Sequence, residues 1–274
     1  MKKVIAFIKL NAPLVYFVNQ VHRHTPIHTV VIEDKHLGEL SALNRIKRRI
    51  ALGPSQPVDP HVTVRIKTGK AATLYTRVFG QDWLDLDRSI QVVYCRNIND
   101  PVVEELLQRE QPDLLLDHGT SIVKDAIIEK VPLALNLHWG LSPYYRGTHC
   151  TEWALINWDP RNIGVTIHRL TKKIDGGDLL CQARVEPEAD DSVDSINMKL
   201  TSEGTRIVIE ALALWESGND LVFHEQDHSL GYLTLNRQWN RSLRATIENI
   251  EKNKLIAKMI RTPARKERLP IISL

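Results

Sequence analysis

Three polar side chains of different chemistry stand among glycines, prolines and aromatics in the middle of this chain: Asn136, His138 and Asp175. An amide such as Asn136 can donate hydrogen bonds to an oxygen that gains negative charge. The His138 imidazole can take up and release a proton near neutral pH. A carboxylate such as Asp175 can fix the tautomer of an imidazole and stabilise its cation. Together these groups suit transfer of an acyl group. No serine or cysteine stands in a nucleophile-elbow context nearby, so no covalent acyl-enzyme is expected. A substrate, such as an amine, must then bring its own nucleophile.

Each residue also has a plainer reading. Asn136 could end a strand by bonding its own backbone. His138 could be a satisfied core histidine, and Asp175 could cap the turn Lys173-Ile174-Asp175-Gly176-Gly177, a role compatible with catalysis. The pairing of Asn136 with His138 weakens the first two, because residues i and i+2 of a strand share a face and can converge on one ligand.

The elements that must position these groups alternate along the chain. Apolar runs at 4–8, 28–33, 91–95, 113–117 and 133–137 read as strands. Between them, Leu14, Phe17, Val18 and Val21, and then Val102, Val103, Leu106 and Leu107, recur at helical spacing. This alternation predicts an α/β fold, a Rossmann-like doubly wound, mostly parallel sheet with right-handed crossovers. Ligands bind such sheets at the carboxyl ends of the strands, where the Asn136 motif stands. Residues 1–225 are expected to form the catalytic domain, with a basic insertion at about 37–90 around Arg45, Lys47, Arg48 and Arg49. That insertion reads either as a solvated helix with loops or as a lobe that meets phosphates. Residues 226–274 form a short C-terminal extension, with a hairpin and a helix striped by Leu243, Ile247 and Ile250 that could serve a homodimer contact.

The stretch 136–182 resembles the formyltransferase family that uses 10-formyltetrahydrofolate as donor. The family's ordered elements stand here as Asn136-Leu-His138, Leu141-Ser142-Pro143-Tyr144-Tyr145-Arg146-Gly147, Gly164-Val-Thr166-Ile-His168 and Asp175-Gly-Gly177. Over residues 1–110 only the strand and helix pattern fits. The resemblance implies direct transfer of the formyl group to an amine, with Asn136, His138 and Asp175 as the catalytic groups. It places the folate pterin against the loops His118-Gly119-Thr120-Ser121-Ile122 and Ile174 to Gly177, where Gly176 and Gly177 would let backbone approach a flat ring. Thr120 or Ser121 could equally cap a strand-to-helix turn. Arg146 and Gly147 read as loop architecture shaping the wall beside the formyl group. His168 reads as local packing or bonding, outside catalysis.

The acceptor is less legible. The purine-pathway members of this family carry a glycine-rich phosphate loop after the first strand, whereas Phe7 to Pro13 contains no glycine. The tail is too short for the extra barrel of the branch that formylates initiator tRNA. A phosphate-bearing small-molecule amine, above all a nucleotide-linked amino sugar, is therefore expected. Tyr145 and Trp139 could stack on its sugar or base, or could be core. Formylation of hydroxyornithine for siderophores and hydrolysis of the donor remain as alternatives.

Composition sets outer bounds. The 274 residues can bury a substantial core. A net charge of +3 admits an anionic ligand without calling for nucleic acid. The tail is more basic: Arg237, Arg241, Arg244, Lys252, Lys254, Lys258, Arg261, Arg265, Lys266 and Arg268 face only Glu248, Glu251 and Glu267. Cys95, Cys150 and Cys181 are widely spaced, which favours a reduced cytoplasmic protein over a disulfide scaffold or a metal centre. Lys9 and Asn11 interrupt the first apolar run, so neither a leader peptide nor a membrane span is expected.

Overall fold

A computed structural model describes residues 2–35, 70–265 and 267–274. Most of the basic segment singled out within 37–90 lies outside the described residues. The described chain divides into two compact units, Met1–His22 with Pro26–Pro132 and Arg23–Thr25 with Leu133–Leu274. The fold is α/β and Rossmann-like.

The first unit is built on parallel strands: β1 (Val4–Lys9), β2 (Ile27–Glu33), β3 (Gln91–Cys95) and β4 (Leu114–His118). β1 pairs with both β2 and β4, and β2 pairs with β3, all in parallel. Parallel strands cannot be joined by a tight turn and need crossovers. Helix α1 (Ala12–His24) connects β1 to β2, α2 (Lys70–Phe79) precedes β3, α3 (Pro101–Glu110) leads to β4, and the short α4 (Asp125–Ile128) follows it. Strands in such sheets are covered on both sides and read as continuous apolar runs. Val4 to Ile8 and Val30 to Ile32 are accordingly fully buried. Asn11 accepts the Leu14 N–H at 3.0 Å and so starts α1, while Leu14, Phe17, Val18 and Val21 form its buried face.

The second unit opens with β5 (Leu133–His138) and β6 (Tyr145–Gly147), followed by α5 (Cys150–Ile156), β7 (Gly164–Arg169), β8 (Leu179–Arg184) and the long α6 (Val193–Glu216). β7 runs antiparallel to both β5 and β8. The short connection from β7 to β8 suits antiparallel neighbours, which need no crossover helix. Ser192 begins α6 through a capping box with Ser195. Ile196, Leu200, Ile207, Val208 and Ala211 form the buried face of α6, and Gly204 packs tightly against the Leu137 side chain.

After α6, β9 (Tyr232–Thr234) pairs in parallel with β6 rather than forming a hairpin. Helices α7 (Arg241–Lys252) and α8 (Leu255–Arg261) complete the unit. Asn240 caps α7 by accepting the Ser242 and Leu243 N–H groups. Ile247 and Ile250 are buried together with Ile256 and Met259 of α8. Of the expected apolar stripe, Ile247 and Ile250 are thus packed inside the unit, while Leu243 is half-buried. Among the described residues no helix is long and apolar enough to cross a membrane.

Candidate active site

Asn136 and His138 lie at the carboxyl end of β5, and Asp175 lies in the loop between β7 and β8. The fold brings all three together. His138 Nδ1 stands 3.4 Å from Asp175 Oδ2, and Asn136 Nδ2 donates to Asp175 Oδ1 at 3.3 Å. Asp175 adopts the left-handed backbone region, at φ 45°, which turns its carboxylate back toward β5. The Gly147 N–H also donates to Asp175 Oδ2, at 2.7 Å.

His138 has a defined tautomer. Its Nε2 lies 3.0 Å from the carbonyl oxygen of Tyr145, which can only accept, so Nε2 carries the hydrogen. Nδ1 is then the position that gains or loses a proton, and it faces Asp175. Gly140 makes this arrangement possible, since a Cβ there would collide with His138 Nε2 and the Tyr145 carbonyl. The Cys150 sulfur lies 3.6 Å from the same nitrogen, and burial keeps this thiol protonated by pushing its pKa far up.

The electrostatics favour an ionised acid beside a neutral base. Burial works against ionisation of Asp175, but the His138 and His168 imidazoles and the Gly147 N–H hold its pKa at about 2. Burial pushes the His138 pKa below its ordinary value, while Asp175 pulls the other way. The Gly147 N–H stabilises the carboxylate whatever the histidines carry. The pair therefore rests as carboxylate and neutral imidazole, ready to take one proton at Nδ1.

His168 bonds within this cluster, in keeping with its reading as a residue that packs or bonds locally. It is the direct cross-strand partner of Asn136, and the two side chains meet at 3.0 Å. Its Nδ1–H donates to the Arg169 carbonyl at 2.7 Å, which leaves Nε2 to accept from Asn136. His168 thus orients the amide of Asn136. The alternation in Gly164-Val-Thr166-Ile-His168 was a usable signal, but reading it required the antiparallel register with β5.

Other expected residues take structural roles. Tyr145 is buried, with its hydroxyl on Asp159 Oδ2 at 2.8 Å, so its ring is core and does not offer a stacking face. Arg146 is also buried, and its guanidinium donates to His228 Nδ1 at 2.7 Å. Gly147 sits at φ 94°, where a Cβ would strike the Thr234 carbonyl. Gly177 likewise admits the Arg169 carbonyl, while Ile174 and Gly176 are half-buried in the same loop.

In the first unit, His118 ends β4 and Gly119 to Ile122 follow it. His118 packs edge-on against Phe17, and Ile122 is 56% exposed. Gly119 takes φ 77°. The Ser121 N–H and hydroxyl both donate to Glu33 Oε2, and the Thr120 hydroxyl donates to Asp117. Neither caps the following helix, whose N-cap position is Lys124. Glu33 also accepts the Ile98 N–H, so this buried carboxylate at the end of β2 organises the loop. Sequence reading missed Glu33, because a single acid ending an apolar run carries no motif.

Residues 76–212 match the family model described as formyl transferase. A stretch of 131 residues is 34% identical to the bifunctional polymyxin resistance protein ArnA of Wigglesworthia glossinidia brevipalpis, covering 47% of this chain and 20% of that protein. The chain thus spans about a fifth of the length of this curated relative. Among solved structures, a sugar N-formyltransferase from Shewanella sp FDAARGOS_354 is similar at a TM-score of 0.56 and 17% identity, over 92% of this chain and 87% of that one. An N-formyltransferase from Helicobacter canadensis, solved with folinic acid and dTDP-3-aminofucose, matches at a TM-score of 0.56 and 15% identity, over 88% and 73%. Likeness at such identities establishes the fold.

Proposed function

The chain belongs to the formyl transferase family, and from that premise we propose that it moves a formyl group from 10-formyltetrahydrofolate to the primary amine of a nucleotide-linked amino sugar. The observation that carries the chemistry is the meeting of Asn136, His138 and Asp175 around one carboxylate. The acceptor class is supported by the ArnA relative and by the aminosugar nucleotide bound to the Helicobacter canadensis enzyme. A cytoplasmic enzyme fits this reading, since folate donors and nucleotide sugars are soluble.

The folate supplies an activated formyl carbonyl. Around it the donor set fits: an amide, an imidazole and a carboxylate serve attack by a neutral amine. As the amine adds, its proton needs a nearby base, and the Nδ1 of His138 facing Asp175 provides that position. Asp175 stabilises the imidazolium so formed and holds it for return to the departing nitrogen. Asn136 meets the negative charge that develops on the formyl oxygen. Its amide is already aimed by His168, and its longer bond, the one to Asp175 at 3.3 Å, is the one exchanged for that oxygen. A donor so placed is worth about 3 to 4 kcal/mol. Ile174, Gly176 and Gly177 and the backbone at Arg146 and Gly147 would hold the folate.

The test is donor consumption together with mass detection of a formylated product. The panel comprises dTDP- and UDP-linked amino sugars, hydroxyornithine and a control without amine. A formylated nucleotide sugar supports the proposal. A formylated hydroxyornithine moves the acceptor to the siderophore branch, and donor loss without any amine identifies a hydrolase.

A further inference from the structure

One segment beyond the matched residues 76–212 wraps both loops of the candidate site. His224 exchanges two backbone hydrogen bonds with Leu179, at 2.7 and 2.8 Å, just after the Asp175 loop. Arg146 reaches His228 from the other loop, at 2.7 Å to Nδ1 and 3.4 Å to the carbonyl. Tyr232 to Thr234 then pair with Tyr145 to Gly147. The chain from His224 to Thr234 therefore staples the loop that carries Asp175 to the strand that carries the Tyr145 carbonyl and the Gly147 N–H.

At the centre of this staple stands Gln226, only 5% exposed. Its Nε2 donates to the Asp175 carbonyl at 3.0 Å and to the Gly177 carbonyl at shorter range. Both neighbours are acceptors, so the orientation of the carboxamide follows from its surroundings. Its Oε1 is buried with no hydrogen-bond partner among the described residues. Leaving a buried acceptor unmet is costly. Burial of this side chain is therefore explained by its donor end. The carbonyl it grips belongs to a residue in the left-handed region, a conformation that persists only when its surroundings enforce it.

We propose that Gln226 is a positioning residue, which locks the Asp175 turn and so aims the carboxylate at His138. This rests on the catalytic reading of Asp175 given above. Gln226 touches no reacting atom.

The test uses the full chain with Gln226→Met, which keeps length and loses the N–H donors, and Gln226→Asn, which keeps the donors on a shorter stem. Steady-state kinetics, thermal melting and NMR titration of the His138 imidazole are measured together. The groups facing that imidazole are Asp175, His168, Arg146 and Cys150. Misaiming by about 1 Å can cost on the order of 100-fold in turnover. Gln226→Met is expected to lower kcat by that order with KM changed less than about twofold. The His138 titration should move to lower pH as the Asp175 charge recedes, and Gln226→Asn should restore part of both. An unshifted His138 titration in Gln226→Met overturns the proposal, as does a loss of stability with unchanged kcat. If Gln226→Met does not fold, Gln226→Leu carries the same test, and failure of both to fold assigns Gln226 to stability alone and also overturns it. The titration needs no formyl donor, so it remains decisive even if the wild type transfers no formyl group.

Discussion

His138 Nδ1 faces Asp175 Oδ2 at 3.4 Å, while the opposite ring nitrogen is tied to the Tyr145 carbonyl at 3.0 Å. The second contact makes the first useful. With Nε2 committed as a donor, the only open proton position on the ring is the one beside the carboxylate. Proton transfer at this site is thereby restricted to a single edge of the imidazole.

Removing either partner should abolish most turnover. Asp175→Asn and His138→Ala are each expected to lower kcat on the order of 100- to 10,000-fold, the range for loss of positioned acid–base catalysis. Asn136→Ala should cost on the order of 100- to 1,000-fold through loss of its donor. Single-turnover rates with saturating donor check this, and near wild-type rates in any two variants would refute the assignment.

The same pair predicts an acid dependence of stability. Folding lowers the Asp175 pKa from 3.8 to about 2 and favours the ionised form. That stabilisation, about 2 kcal/mol, is complete above the unfolded value and is lost as pH falls from about 4 through about 2. His138 acts in the same sense, because its folded pKa lies below 6.5 and the unfolded chain binds the proton first on acidification. The melting temperature should therefore fall below about pH 6.5 and again below about pH 4. Melts of wild type and Asp175→Asn across that range should diverge least at the acid end, where the advantage of the carboxylate is gone. A constant difference at every pH would count against the pKa reading.

Gly140 offers a test that changes no polar group. In Gly140→Ala the new methyl strikes His138 Nε2, the Tyr145 carbonyl and the Cys150 sulfur. Overpacking of this kind costs about 1 to 3 kcal/mol. Denaturant melts should show that loss, and kcat should fall further than stability alone explains, because His138 is the group displaced. Full activity in this variant would mean that the imidazole need not occupy its observed place.

Tyr145 separates core from acceptor binding. Tyr145→Phe removes a hydroxyl from a buried carboxylate, Asp159, which keeps the Asn162 amide and the more distant Arg265 as partners. A loss of about 1 to 3 kcal/mol in stability is expected, with KM for the acceptor unchanged. A raised KM at unchanged stability would return Tyr145 to the acceptor site.

Much of this arrangement was legible from the residues, and the gaps have physical causes. The strands of the first unit announced themselves as apolar runs because parallel strands are buried on both faces. Asn136, His138 and Asp175 were singled out by their types and order, and the fold brings them together. Which side chain His168 bonds was not legible, since that depends on register across β5 and β7, which alternation in one strand does not specify. The fate of Tyr145 depends on Asp159, a partner set by tertiary packing. Gln226 was invisible for the same reason: it acts through its side-chain amide on backbone carbonyls, and any residue supplies those. The stripe on α7 was read correctly as apolar, but what covers it, α8 included, lay beyond helical periodicity.

The central claim is that one carboxylate and one imidazole jointly move the proton of an attacking amine. The most direct measurement is the single-turnover rate of formyl transfer in wild type, His138→Ala, Asp175→Asn and the double variant. Residues acting as one unit predict that the double variant is about as slow as the slower single one. Losses that instead multiply would show two independent contributions and contradict the account.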